Sequence, residues 1–223
     1  MIRQNFNADW TVEKGDGNSR MNSFLGNTQT KTVHLPYDAM IHEARTPDTK
    51  NGAQTGFYPG GEYIFQKHLT APQAWQGKPV SLVFEGVYQT ALVYLNGWLL
   101  TRNVNGYAEF TVEAGPYLKY GADNLLKVIA DNSLEPNSRW YTGSGIYRPV
   151  RLLVGNKVYL PQDTVRITTR EADEGFALLD VTAQVQSAST VTERVTLQQT
   201  ICREGTAVLT DRQNLLLQPG ESR

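Results

Sequence analysis

Short runs in which apolar and polar residues alternate extend along most of the chain, and Gly, Pro, Asn or Asp interrupts them about every 8–12 residues. Such alternation is typical of strands with one buried face. No rhythm of strand and helix indicates a parallel sheet. The pattern therefore predicts an all-β protein with two antiparallel sheets packed face to face. We predict strands at residues 10–13, 32–35, 62–70, 80–85, 88–95, 98–100, 107–112, 124–130 and 146–154.

Turn signals separate these strands. Asn96-Gly97 lies between two apolar runs and predicts a hairpin turn, in which both residues take a positive φ. One-turn helices are predicted at 72–75 and 116–120, and a polar loop at 16–30. Residues 37–61 carry no regular pattern and exceed the roughly 12–15 residues of an ordinary loop. This segment is either a covering flap or a functional loop, and its distinctive side chains are those of His42, Glu43, Arg45, Phe57 and Tyr58.

The pattern becomes simpler after the Gly155-Asn156 turn, since aromatic residues are rare there and plain alternation dominates. We therefore predict a first domain at 1–155 and an immunoglobulin-like β-sandwich domain at 156–223. Because the second stretch is shorter than the roughly 100 residues of a seven-stranded domain, we expect it to be incomplete. An unpaired sheet edge would then favour dimerisation or aggregation. The predicted inward-facing residues are Val165, Ile167, Leu179, Val181, Ala183, Val185, Val195, Leu197, Ile201, Leu215 and Leu217.

Composition excludes several classes of partner. The net charge is −1 with no basic block, so nucleic acid and anionic membranes are poor partners. No apolar run approaches the ~20 residues of a membrane helix, and the N-terminus lacks the apolar core of a secretory signal. Cys202 is the single cysteine, which excludes an internal disulfide and suits the cytoplasm. The three histidines lack metal-ligand spacing, so we predict no metal or cofactor in this chain.

The most distinctive stretch is residues 131–150, DNSLEPNSRWYTGSGIYRPV. Arg139, Trp140 and Tyr141 follow one another in a polar loop, where large aromatic side chains are unusual. An aromatic ring can pack against the C–H face of a sugar, while amide and guanidinium groups bind its hydroxyls. Two interpretations remain open. The loop contacts a sugar, or Trp140 and Tyr141 close the end of a sandwich while an arginine (139 or 148) pairs with Asp131 or Glu135.

An ordered series of short motifs resembles the N-terminal region of family-2 glycoside hydrolases, and most of all the β-galactosidase branch. It covers residues 1 to about 155 and extends more weakly beyond. The motifs are Leu35-Pro36-Tyr37-Asp38, Gly56-Phe57-Tyr58-Pro59-Gly60-Gly61, Phe84-Glu85-Gly86-Val87-Tyr88, Leu95-Asn96-Gly97, Pro116-Tyr117-Leu118, Asp131-Asn132, Ser138-Arg139-Trp140-Tyr141 and Gly143-Ser144-Gly145-Ile146-Tyr147-Arg148.

This resemblance implies a galactose-binding-like jelly-roll β-sandwich, then an immunoglobulin-like β-sandwich. It also implies a catalytic (β/α)₈ barrel beyond residue 223, with the acid/base and nucleophile glutamates of a retaining mechanism, which lie ~5–5.5 Å apart. We therefore assign no catalytic residue to this chain. The family's sugar-contacting loop corresponds to Asn137, Ser138, Arg139 and Trp140, which we take as candidate substrate-binding residues. The family's Asp, which helps to hold a monovalent cation, is missing at these positions, so a cation is expected only in the longer enzyme.

Three hypotheses follow from the resemblance. The first is a non-catalytic part of a β-galactosidase-like enzyme that shapes its sugar-binding cleft, works beside the barrel of the same chain and forms homo-oligomers. The second is a stand-alone carbohydrate-binding module. The third is a structural or oligomerisation region of a β-glucuronidase or β-mannosidase. The partner is a β-galactoside or related glycan, and the sequence leaves the sugar open.

Overall fold

The computed structural model describes residues 2–15 and 30–223, and within these the chain is all-β, as predicted. The chain forms two compact units, described separately below. The first unit comprises residues 2–76 and 80–154, and the second comprises residues 77–79 and 155–223. The loop predicted at 16–30 lies almost entirely outside the described residues.

The first unit is built from strands and short 3₁₀ turns. Its strands are β1 (Ile2–Asn5), β2 (Trp10–Lys14), β3 (Lys31–Val33), β4 (Gly61–Thr70), β5 (Val80–Phe84), β6 (Thr90–Leu95), β7 (Trp98–Asn103), β8 (Phe110–Glu113), β9 (Asp123–Asn132) and β10 (Val150–Val154). Its 3₁₀ turns are Met40–His42, Gly52–Thr55, Gln73–Trp75 and Gly115–Tyr117. The last two turns confirm the one-turn helices predicted near 72–75 and 116–120.

Two antiparallel sheets organise these strands. The smaller has the order β1-β10-β5-β8, and the larger has the order β3-β2-β4-β9-β6-β7. The hairpin between β6 and β7 turns at Asn96 and Gly97 with φ values of 52° and 87°, as predicted. Val80, Leu82 and Phe84 share one face of β5 and are buried in the core, as their alternation predicts.

Two strands were predicted to begin three or four residues too early. The strand predicted at 146–154 begins only at Val150. Pro149 has no N–H to donate to a ladder, and the carbonyl of Ile146 accepts a bond from the Tyr37 N–H at 2.8 Å instead. The strand predicted at 107–112 begins at Phe110, because the Asn105 side chain accepts the N–H groups of Tyr107 and Ala108 in a local turn.

The second unit pairs its strands two by two. Its strands are β11 (Val158–Tyr159), β12 (Arg166–Ala172), β13 (Ala177–Thr182), β14 (Gln186–Ser187), β15 (Glu193–Arg203) and β16 (Thr206–Leu217). The ladders are β11 with β14, β12 with β13, and β15 with β16. The register pairs Ile167 with Val181 and Val195 with Leu215, as neighbours on one face of each ladder. Their predicted inward-facing position was wrong for most residues, because no second sheet within the described part of this unit covers these pairs. Of the eleven residues predicted to face inward, Val185 and Leu217 are buried, whereas Val165, Ile167 and Ile201 are exposed.

Candidate functional site

The loop that joins β9 to β10 is anchored at its start by Asn132, the last residue of β9. The Asn132 side chain is 1% exposed, so both ends of its amide need partners. Its Nδ2 donates to the carbonyl of Gly143 at 3.1 Å, and its Oδ1 accepts from Nδ2 of Asn137 at 2.8 Å. A single buried amide thereby holds the early and the late part of the loop together.

A second anchor is Asp38, which lies 103 residues before its partner Tyr141. Its Oδ1 accepts the backbone N–H groups of Met40 at 3.1 Å and Ser144 at 2.9 Å. Its Oδ2 accepts the hydroxyl of Tyr141 at 2.5 Å. Since a carboxylate bonds more strongly than a neutral acceptor, Asp38 fixes the end of the loop against the segment that follows β3.

Gly143 and Gly145 are required by this close approach. Gly143 has a φ of 75°, and a Cβ there would lie 2.7 Å from Oδ2 of Asp38. Gly145 has a φ of 135°, and a Cβ there would lie 2.7 Å from the carbonyl oxygen of Tyr37. Both positions combine left-handed backbone with a distance that no side chain tolerates. The turn therefore requires glycine at both positions in order to lie against Asp38 and Tyr37.

The 3₁₀ turn Gly52–Thr55 supports the middle of the loop. The N–H of Asn137 lies 3.1 Å from Oδ1 of Asn51 and 3.1 Å from Oε1 of Gln54. The rings of Tyr58 and Tyr141 also meet, with centroids 5.3 Å apart. The 37–61 segment, which carried no regular pattern in the sequence, thus packs beneath the candidate loop and holds it.

The exposed part of the loop contains the predicted sugar-contacting residues. Ser138 donates its hydroxyl to the carbonyl of Trp140 at 2.6 Å, which closes a tight turn. The Arg139 guanidinium lies 5.9 Å from the Trp140 ring, and Trp140 is 64% exposed. The structure therefore presents a cation and an aromatic face together to solvent, while Asn137 is half-buried and bonds to Asn132.

The alternative interpretation, in which aromatic residues close the sandwich, holds for one residue and fails for the other. Tyr141 packs against the core of the first unit, whereas Trp140 does not. The predicted ion pairs were wrong as well. Glu135 pairs with Lys50 at 3.2 Å, and Asp131 accepts the hydroxyl of Ser133 at 2.5 Å. Each carboxylate therefore has a partner other than the predicted arginines.

Two tyrosines beneath the loop have altered acidity. Burial raises the pKa of Tyr141 above its ordinary value, and its hydrogen bond to Asp38 raises it further. Burial raises the pKa of Tyr63 in the same way, with a second contribution from Glu43, whose Oε1 accepts the Tyr63 hydroxyl at 2.6 Å. Both hydroxyls act as donors and not as acids at neutral pH.

The sequence analysis missed the roles of Asp38 and Asn132. Both belong to the motifs quoted above, but nothing in their local sequence distinguishes a structural carboxylate from a solvated one. Residues 2–15 and 30–223 contain no cluster of three side chains suited to a metal ion. Within the same ranges, no helix has the length and apolar character needed to cross a bilayer.

Comparison with known proteins assigns the chain to a family. The family model described as glycosyl hydrolase 2 galactose-binding domain-like matches residues 10–178. The chain belongs to this family. The match includes all of β2 to β12 and therefore both anchors, Asp38 and Asn132.

Relatives within the glycosyl hydrolase 2 family are longer proteins. The chain is 33% identical over 195 residues to beta-galactosidase BoGH2A of Bacteroides ovatus, covering 87% of this chain and 23% of that protein. It is 28% identical over 187 residues to a putative beta-glucuronidase of Formosa agariphila, covering 84% and 18%. A crystal structure of a glycosyl hydrolase family 2 member from Bacteroides cellulosilyticus superposes with a TM-score of 0.86 at 27% identity, covering 100% of this chain and 30% of that one. The chain thus spans less than a third of the length of each.

Proposed function

We propose that this chain is the N-terminal, non-catalytic part of a β-galactosidase-like glycoside hydrolase and that it shapes the sugar-binding cleft of that enzyme. Its family membership supports the proposal, as do relatives described as a beta-galactosidase and a putative beta-glucuronidase. In this proposal a separate barrel of the same chain supplies the two carboxylates of a retaining mechanism.

The observation that carries the proposal is the anchored loop with an exposed cation and aromatic ring at its tip. A large aromatic ring is unfavourable in water and is stabilised when a ligand covers it, so an exposed tryptophan on an anchored loop favours a binding role. The buried amide of Asn132 and the carboxylate of Asp38 fix the loop before any ligand arrives. A preformed loop spends little conformational entropy on binding.

Trp140→Ala in the longer enzyme tests this role. Losing one aromatic stacking contact costs about 0.5–1.5 kcal/mol beyond area burial, so we expect kcat/KM for a β-galactoside to fall by up to roughly tenfold. The assay is the release of nitrophenol from a nitrophenyl galactoside. Unchanged kcat/KM with an intact fold would assign Trp140 to the surface alone.

Trp98→Ala is the matched control. Trp98 is 67% exposed, close to the value for Trp140, but it follows the hairpin turn of β6 and β7. The register pairs Leu95 with Leu126 and Thr90 with Asp131, so the hairpin lies toward the opposite end of β9 from the loop. Five residues of strand separate the two ends by roughly 17 Å. We expect this variant to keep wild-type kinetics.

A stand-alone carbohydrate-binding module is the competing function, because the family description itself names a galactose-binding-like domain. Calorimetric titration of the 223-residue chain with galactose, lactose and glucuronate distinguishes the two. Millimolar or tighter binding of galactose or lactose, with no hydrolysis in any longer form, favours the module. Hydrolysis by the longer enzyme and none by this chain favours the shaping role. The cytoplasmic location, the homo-oligomer and a cation in the longer enzyme stay predictions.

A further inference from the structure

A shallow cleft of about 350 Å³, open to solvent, lies in the segment between β3 and β4, and Trp140 is not among its lining residues. Its lining residues are Arg45, Thr46, Pro47 and Phe57. The volume lies at the lower end of the ~300–1,000 Å³ found for small-molecule sites, so it suits one sugar ring better than a long glycan. The lining offers one cation, one hydroxyl and one aromatic ring.

Arg45 is held in place without being neutralised. Its Nε donates to the carbonyl of Gly56 at 2.9 Å, and its guanidinium lies 5.8 Å from the Phe57 ring and 5.9 Å from the Tyr58 ring. Among the salt bridges formed within residues 2–15 and 30–223, none includes Arg45. The nearby acid Glu43 is already bonded to Lys14 and Tyr63.

Phe57 is presented to the cleft by a constrained backbone. Its φ is 65°, a left-handed conformation that is unfavourable for an aromatic residue. Two backbone bonds enforce it, from the Phe57 N–H to Gly52 at 2.8 Å and from the Thr46 N–H to the Phe57 carbonyl at 2.9 Å. Strained residues of this kind concentrate at ligand-binding loops. The ring remains 37% exposed beside the guanidinium.

We propose that this cleft binds a hexuronate residue of a glycan, with its carboxylate at Arg45 and a C–H face of its ring on Phe57. The planar fork of a guanidinium matches a carboxylate through two parallel N–H···O bonds, which a neutral hydroxymethyl group cannot reproduce. The inference rests on the proposed function, since it assigns a class of sugar to a glycan-contacting region.

The test is a titration of the 223-residue chain, followed by two-dimensional NMR, with methyl β-D-glucuronide and methyl β-D-glucoside. The two probes differ only at C6, which carries a carboxylate in one and a hydroxymethyl in the other. Because Arg45 is exposed, an ion pair there is screened by solvent, and we expect the uronide to bind roughly two- to fivefold more tightly. The signals that shift should include Arg45 Nε and the backbone amide of Phe57.

Substitutions test whether Arg45 is responsible for the preference for the uronide. Arg45→Gln should remove it, and Arg45→Lys, which keeps the charge but loses the fork, should retain only part of it. The matched control is Arg148→Gln, because Arg148 is also an exposed arginine that lies over an aromatic ring, 5.4 Å from the centroid of Tyr147, but it does not line the cleft. This variant should keep the full preference. The dispersion of the amide spectrum checks that each variant is folded.

Several results would overturn the inference. Equal affinity for the two probes, no binding of either, or a uronide preference that survives Arg45→Gln each contradicts it. Tighter binding of methyl β-D-glucoside 6-sulfate than of the uronide would assign the cleft to sulfated sugars instead. None of these outcomes affects the proposed function. That proposal fails only if the longer enzyme does not hydrolyse glycosides, or if Trp140→Ala leaves its kcat/KM unchanged.

Discussion

The two units use their apolar residues differently. In the first unit, the facing sides of two sheets bury one continuous core that includes Trp10, Phe65 and Phe84. In the second unit, Val185 and Leu217 are the buried hydrophobic residues, while Ile167 is 65% exposed and Val208 is 60% exposed. Both regions consist of antiparallel strands with alternating residues, so alternation alone does not determine burial.

This difference shows that alternating apolar residues are buried only where another layer covers the sheet. Each strand of the first unit belongs to a sheet of four or six strands, and a second sheet covers one face. The strands of the second unit stop at pairs, and isolated hairpins are marginal in water. Around Val158, Leu160, Val185, Val195 and Leu197 they leave a mostly apolar groove of about 230 Å³. An apolar face is stable only when something covers it.

The sharpest test of this contrast substitutes one large residue in each unit. Phe65→Ala should lower the free energy of unfolding by about 3–5 kcal/mol, because Phe65 is fully buried and its removal leaves a cavity. Ile167→Ala should change it by less than about 0.5 kcal/mol, since Ile167 is mostly exposed. Urea unfolding followed by circular dichroism measures both. Equal losses would show that the second unit also buries a core.

A smaller effect is expected from glycines with left-handed backbone. Gly205→Ala in the β15–β16 turn meets nothing within 4 Å, so it should cost only the conformational strain of about 1–2 kcal/mol. Gly145→Ala should cost about 1–3 kcal/mol more, because its Cβ would also collide with the Tyr37 carbonyl and the Phe65 ring. Thermal midpoints of the two variants, compared with wild type, provide the measurement. A smaller loss for Gly145→Ala than for Gly205→Ala would contradict the close packing.

The smallest effect concerns alkaline pH. Tyr63 has a raised pKa when folded, whereas in the unfolded chain it ionises near its ordinary value of about 10. Above that pH the unfolded chain loses a proton that the folded chain keeps, so stability falls as pH rises, by up to about 1.4 kcal/mol per pH unit. Below it, Tyr63 adds no pH dependence.

Tyr63→Phe should therefore flatten the decline in stability between about pH 10 and 11.5, relative to wild type. The control is Tyr117→Phe, at a position that is 40% exposed. Urea midpoints at each pH test the expectation. An unchanged slope in Tyr63→Phe, or the same flattening in both variants, would mean that burial of Tyr63 does not drive the effect.

The sequence predicted features that depend on neighbours in the chain. Alternation located β4, β5 and β9 closely, and Asn96-Gly97 predicted its hairpin, because period and turn chemistry are local properties. Trp140 was also recognised locally, as a large aromatic residue that is unusual in a polar loop, with Arg139 beside it. The strand β1 was missed, since its pairing with β10 joins the two ends of the first unit.

Features that depend on distant partners could not be predicted. Nothing around Asp38 indicates that its carboxylate will accept bonds from Tyr141 and Ser144, more than one hundred residues later. The support of Asn137 by Asn51 and Gln54 spans more than eighty residues in the same way. Such contacts arise only when two sheets bring loops together, which a single sequence does not reveal.

The bond from Asp38 to the turn at Gly143 and Ser144 also limits how this region can be re-engineered. Grafting residues 137–140 onto a relative would transfer the exposed part of the loop without the residues that hold it in place. A grafted loop would also need Asp38, Gly143, which leaves room for the Asp38 carboxylate, and the side-chain amides of Asn51 and Gln54. Substitutions that test the proposed sugar contact are therefore best made at Arg139 and Trp140, because their side chains form none of these anchoring bonds.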